Sequence, residues 1–124
     1  MGKLTDKRIL VIEDEYFIAS DLQRALVAEG ATVVGPTGDI GVGLGLARDE
    51  RLDGALLDVN LGGSFIYPLA DELKARGVPW LFVTGYDNWS LPSAYRDAPL
   101  VAKPFSMTVV VDAIARLMAG GRPA

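Results

Sequence analysis

An α/β protein built on a doubly wound, five-stranded parallel sheet is what this sequence predicts, and three observations predict it. Five short apolar runs are spread through 124 residues: Ile9-Leu10-Val11-Ile12, Thr32-Val33-Val34, Ala55-Leu56-Leu57, Trp80-Leu81-Phe82-Val83 and Leu100-Val101-Ala102. None of them alternates with polar residues, which is how strands covered on both faces read. Helical patterns fall between them, giving the order β-α-β-α-β-α-β-(α)-β-α, in which each helix carries the chain back to start the next parallel strand.

The elements follow in order. After the first run, Ile18, Leu22, Ala25 and Leu26 recur at helical spacing, and Gly30 is a natural stop. A second helix is expected from about Asp39 to Asp49, weakened by Gly41, Gly43 and Gly45, each costing roughly 1 kcal/mol against alanine. A third is expected from about Ile66 to Arg76, ending at Gly77; its Pro68 suits only a first turn. The last has Ser106 as N-cap, an apolar stripe of Val110, Ala113, Ile114 and Leu117, and a stop at Gly120-Gly121. Asp87 to Asp97, "DNWSLPSAYRD", has turn formers, one proline and no clean period, and reads as a short or irregular helix.

Composition bounds the function. The length suits one domain, 1–124, with one core. Half the residues are hydrophobic, yet no apolar run approaches the roughly 20 residues that cross a bilayer. No targeting leader is legible, so no membrane partner is expected. Cysteine is absent, which excludes disulfides and thiolate metal sites and fits a reducing cytoplasm. Histidine is absent too, so the chain cannot carry a phosphohistidine of its own. Net charge is −4 with no Lys/Arg cluster, which argues against a nucleic-acid surface.

In open parallel sheets, sites form beyond the carboxyl ends of the strands. The first run ends in Glu13-Asp14-Glu15, the third in Asp58, the fourth in Thr84-Gly85 and the fifth in Lys103-Pro104. Each residue alone has a plainer reading. Asp14 could cap the first helix and Asp58 a turn. Thr84 could be a β-former and Lys103 a solvated lysine. Their joint placement at four strand ends favours a site. Two carboxylates about 4 Å apart repel by roughly 4 kcal/mol at an effective dielectric near 20. Glu13, Asp14 and Asp58 together therefore need more positive charge than Lys103 supplies. With no His or Cys available, oxygen ligands favour Mg²⁺, and Asn60 adds a backbone carbonyl two residues past Asp58. Gly62-Gly63 lets the backbone after Asp58 approach a ligand closely.

From "RILVIEDE" through "ALLDVN" and "LFVTGY" to "VAKPF", nearly the whole chain resembles the receiver domain of two-component response regulators. The resemblance implies a flavodoxin-like strand order 2-1-3-4-5. It implies Asp58 as phosphoacceptor, and Glu13, Asp14, Asp58 and the Asn60 carbonyl as Mg²⁺ ligands. Thr84 and Lys103 would be the conserved hydroxyl and lysine, with a cis Lys103-Pro104 bond. The implied function is Mg²⁺-dependent phosphoryl transfer to Asp58 from a phosphohistidine on a sensor histidine kinase or histidine phosphotransfer protein, switching protein–protein contacts. Two departures stand out. Glu13 occupies a position where Asp is common. Leu100 stands three residues before the lysine, where receivers carry an aromatic ring. With "VPWLFVTGY", Leu100 is similar to an atypical stand-alone subgroup with a Phe-Ala-Thr-Gly-Tyr-like motif.

Leu100 and the weak helix signal after Thr84 lead to the expectation that phosphorylation draws Thr84 inward and reorders Gly85 to Asp97. Trp89 and Tyr95 would then form a partner-binding patch, unless both rings simply pack over the loop. Rival functions remain. A haloacid-dehalogenase-like phosphatase also uses an aspartate after an apolar strand, but Asn60 replaces its second acid. A docking domain that needs no phosphorylation is at odds with the full set of acids, threonine and lysine. Because the sequence stops soon after the fifth helix, output is expected through protein contact or by passing the phosphoryl group on.

Overall fold

The computed structural model describes residues 2–61, 64–85 and 91–120. Its strands are β1 (Arg8–Ile12), β2 (Thr32–Thr37), β3 (Gly54–Leu57), β4 (Asn60–Leu61), β5 (Ser64–Phe65), β6 (Trp80–Thr84) and β7 (Leu100–Ala102). The helices are α1 (Tyr16–Ala28), α2 (Ile40–Asp49), α3 (Tyr67–Ala75) and α4 (Met107–Met118). Five strands form one sheet in the order β2-β1-β3-β6-β7, and β4 pairs with β5 in a separate hairpin. Every pair within the large sheet is parallel. Counting those five strands alone, the order is 2-1-3-4-5, as expected.

Alternate residues of each strand feed two cores. Ile9 and Val11 of β1, Leu56 of β3 and Leu81 and Val83 of β6 meet Leu22 and Leu26 of α1 and Val110 and Ile114 of α4. Leu10 and Ile12, Leu57 and Phe82 meet Ala47 of α2 and Leu69 and Leu73 of α3 on the other side. This period of two, with both faces apolar, is why the runs show no polar alternation. No helix among the described residues is long and apolar enough to cross a membrane.

The expected helices form with small boundary shifts. Ser106 caps α4 by accepting from the Val109 amide at 3.2 Å. Pro68 lies in the first turn of α3. Gly30 has φ +94° just past α1. Of the closing Gly120-Gly121 pair, Gly121 lies outside the described residues.

α2 forms in spite of its glycines, and Gly43 shows why. A Cβ there would sit 2.9 Å from both Ile12 Cδ1 and Leu69 Cδ1. The missing side chain lets the helix lie close to β1 and α3, so packing overrides propensity. Asp39 starts this helix by accepting from the Val42 amide at 2.9 Å. Asp39→Ala should therefore destabilise by about 1 kcal/mol, read as a lower urea midpoint at unchanged m-value.

Three features depart from the reading of the sequence. β2 continues through a cis Gly35-Pro36 bond to Thr37. Two short strands, β4 and β5, pair antiparallel soon after Asp58; Gly62 and Gly63 lie outside the described residues. Within Asp87 to Asp97, residues 87–90 also lie outside them, and the regular structure in the described remainder is a single 3-10 turn, Ser93–Tyr95.

Candidate functional site

The site is assembled at the carboxyl edge of the sheet by the register of four strands. Ile12 of β1 lies beside Leu57 of β3, Leu57 beside Phe82 of β6, and Thr84 beside Ala102 of β7. The next residue in three of these strands carries the chemistry: Glu13, Asp58 and Lys103. Backbone bonds hold them in place. The Glu13 amide donates to the Thr37 carbonyl at 2.9 Å, the Asp58 amide to the Ile12 carbonyl at 2.9 Å, and the Lys103 amide to the Thr84 carbonyl at 2.8 Å. The Lys103-Pro104 bond is cis.

Burial divides the acids. Glu13 is 3% exposed and Asp58 4%, while Asp14 faces solvent. One carboxylate oxygen from each of Glu13, Asp14 and Asp58 lies within 4.8 Å of the other two. A Cβ at Gly38 would come within 2.7 Å of Asp14 Cα, so only glycine lets the chain after β2 approach the acids this closely. A cavity of about 480 Å³ opens beside Glu13 and Asp14, with Tyr16, Gln23, Thr37 and Asp39 on its walls.

Lys103 reaches into the cluster from β7. Its Nζ lies 3.1 Å from Glu13 Oε1, 3.3 Å from Asp58 Oδ2 and 3.4 Å from Glu15 Oε1. Burial alone would lower its pKa, but the Asp58 and Glu13 carboxylates outweigh it and hold the ammonium's pKa above its ordinary value. The pKa of Glu13 is raised as well, which for an acid favours the neutral form. Burial first, then the adjacent Asp58 carboxylate, push it up to about 7 against the pull of the Glu15 amide and Lys103.

Glu13 Oε1 is buried and accepts no hydrogen bond, although the lysine nitrogen is near it. A buried carboxylate oxygen is costly unless it is compensated, and here one ammonium group is shared with Asp58 and Glu15. An all-oxygen set of three converging carboxylates fits a hard divalent cation of the magnesium type. The donor set therefore fits the metal expected from the sequence.

The residues singled out in the sequence thus fall into two groups. Glu13, Asp58 and Lys103 are in mutual contact, and Asp14 lies at the solvent side of the same cluster. Thr84, 1% exposed, ends β6 next to the Lys103 strand. Asn60 opens β4 two residues past Asp58, so its main chain belongs to the hairpin that leaves the site. Asp14 does not cap α1. The N-cap is Glu15, which makes no side-chain cap bond. Glu15 is also the contact that reading by strand ends missed, a third carboxylate on Lys103. Its one signal in the sequence was position, directly after Glu13-Asp14.

Of the two residues expected to form a partner-binding patch, Tyr95 is among the described residues. Trp89 lies outside the described residues. Tyr95 is half-buried: its ring stacks on Tyr67 with centroids 4.8 Å apart, and its hydroxyl donates to Asp71. Leu100 is half-buried, pairs with Phe82 and packs on the same core as these rings.

A sheet in this strand order, with a lysine and converging acids at its carboxyl edge, defines a receiver domain, and the chain belongs to the receiver domains of response regulators. SdrG from Sphingomonas melonis Fr1 is 40% identical, with a TM-score of 0.75 over 90% of this chain and 94% of that one. A CheY-like response regulator receiver domain protein from Methanospirillum hungatei JF-1 is 27% identical, with a TM-score of 0.81 over 94% and 96% of the two chains. Among curated proteins, the transcriptional regulatory protein PdtaR of Mycobacterium tuberculosis is 31% identical over 112 residues, 87% of this chain. The chain spans 55% of the length of that relative. No family profile matches the sequence. Two of these relatives are named as regulators: PdtaR as a transcriptional regulatory protein and the Methanospirillum protein as a response regulator receiver domain protein.

Proposed function

We propose that residues 1–124 form one receiver domain in which Asp58 accepts a phosphoryl group from a phosphohistidine on a sensor histidine kinase or histidine phosphotransfer protein. The observation that carries this reading is the Lys103 ammonium set between the buried Asp58 and Glu13 carboxylates, 3.3 and 3.1 Å away. Beryllofluoride activates SdrG, and the receiver domain of the sensor kinase PA1611 from Pseudomonas aeruginosa holds magnesium in its active-site cleft. The absence of cysteine and of any membrane-spanning helix among the described residues supports a cytoplasmic setting.

An Asp58 carboxylate oxygen attacks phosphorus, the P–N bond of the donor breaks, and its imidazole leaves with the electron pair. The product is an acyl phosphate on Asp58. There is little covalent work for the protein to do beyond placing groups and neutralising charge. Glu13, Asp14, Asp58 and the Asn60 carbonyl would hold Mg²⁺, which when bound supplies the charge neutralisation that one lysine cannot. Lys103 offers a point charge to a second phosphoryl oxygen, and the Thr84 hydroxyl can donate to a third. Hydrolysis of the acyl phosphate, by attack of water on phosphorus, restores the Asp58 carboxylate. A change in the chain that follows Thr84, of which residues 85 and 91–97 are described, would then carry the signal to protein partners.

Incubation with Mg²⁺ and a small acyl phosphate, followed by weighing the intact protein, tests the reading. The wild-type chain is expected to gain one phosphoryl group, and neither the Asp58→Asn variant nor a chelator-treated sample should do so. A gain in both proteins, or in neither, contradicts the assignment. Catalytic turnover of a phosphate monoester would instead favour the haloacid-dehalogenase-like reading.

A further inference from the structure

Three carboxylates share one ammonium group at this site, and they are not equally held. Glu13 and Asp58 have side chains 0% and 6% exposed, fixed at strand ends, whereas the Glu15 side chain is 62% exposed. Glu15 is the N-cap of α1, with extended backbone at φ −82° and ψ 113°. A short acceptor such as Asp or Ser would turn back onto the first helical amides there. The longer glutamate makes no such bond and instead reaches Lys103, with Oε1 3.4 Å from Nζ. Its backbone is used separately, because the Glu15 amide donates to Glu13 Oε2 at 3.1 Å. Removing the Glu15 carboxylate therefore leaves the support of Glu13 intact. A cavity of about 410 Å³ beside Glu15, Lys103 and Phe105 gives the side chain room to turn away.

We propose that Glu15 is a positioning residue for Lys103, holding the ammonium in the resting site and yielding it when Asp58 carries a phosphoryl group. The inference rests on the phosphoacceptor reading of Asp58. A phosphoryl group brings close to two negative charges and new acceptor oxygens. Lys103 can bond one of them only by loosening an existing contact. The contact made by an exposed side chain with one oxygen costs least to give up. Glu15 thus competes with the phosphoryl oxygen for Lys103 and sets the resting site against premature modification.

The test uses beryllofluoride as probe, titrated at saturating Mg²⁺ and followed by amide NMR, on the wild type, Glu15→Gln and Glu15→Asp. Each is repeated in a Lys103→Met background. Glu15→Asp keeps the charge but shortens the reach. If Glu15 acts by holding Lys103, both variants tighten beryllofluoride binding by about two- to fivefold, the worth of an exposed ion pair. Both effects then vanish once Lys103 is gone, as coupled residues require. The proposal is overturned if Glu15→Asp behaves as wild type, which would mean a field effect. It is overturned equally if the Glu15→Gln effect persists without Lys103. Absence of Mg²⁺-dependent binding in the wild type would overturn the phosphoacceptor reading itself, and this inference with it.

Discussion

Raising the pH from about 5 to about 8 in metal-free buffer is expected to lower the free energy of unfolding by about 1–3 kcal/mol, and millimolar Mg²⁺ to restore it. The cause is Glu13. In the unfolded chain its carboxyl titrates near 4.5; in the folded protein burial and the Asp58 carboxylate push it up to about 7. Between those values the native state holds a proton that the unfolded state has lost. The unfolded state therefore binds fewer protons, and stability falls as pH rises through the window. Below about pH 4.5 both states are protonated at this residue; above about 7 both are ionised and the penalty is complete. Glu13→Gln should flatten this slope in metal-free buffer and make the protein more stable than wild type at pH 8. Thermal melts across the pH range, with and without Mg²⁺, measure it. A stability that rises from pH 5 to 8 without metal would show that the acids are not crowded as described.

The sheet was legible because burial on both faces leaves an unbroken apolar run, and all five runs became strands within a few residues. The second was read short. A proline usually ends a strand, but β2 continues through a cis Gly35-Pro36 bond at an irregular register against β1. α2 was underrated because propensity counts glycine as a loss, whereas Gly43 is where the helix touches Ile12 and Leu69. The hairpin β4–β5 has two residues per strand, too few to show a period. At the site, Glu13, Asp58 and Lys103 could be grouped because topology alone brings the ends of parallel strands together. Glu15 could not, because contact between a helix N-cap and a lysine on another element depends on rotamer and reach. Those are tertiary facts with no periodic trace.

Phe82→Ala should be the most damaging single change away from the acids, at about 3–5 kcal/mol. Phe82 is fully buried on β6, between Leu57 of β3 and Leu100 of β7. Its ring meets three others edge-on: Tyr95 at 6.1 Å, Trp80 at 6.2 Å and Tyr67 at 6.4 Å between centroids. Such pairs contribute beyond the area they bury. Tyr67 in turn stacks on Phe65 of the hairpin at 5.8 Å and on Tyr95 at 4.8 Å. The hairpin that leaves Asp58 and the turn that precedes β7 are thus both packed around one ring. The Tyr95 phenol stays a donor throughout the working range, since burial and then Asp71 push its pKa up to about 12. Removing the Phe82 ring should therefore act unevenly: amide protection should fall further across 94–98 than along β1, because the turn has few other anchors. Thr84 is two residues on from Phe82 and shares its face of the strand, so the cavity would also loosen the hydroxyl at the site. Acyl-phosphate labelling of Asp58 should be slowed but not abolished, since Glu13 and Lys103 stand on other strands. Phe82→Leu, which fills much of the space, should recover most of the stability but not the protection of the turn, because leucine restores apolar volume without the edge-on contacts that hold Tyr95.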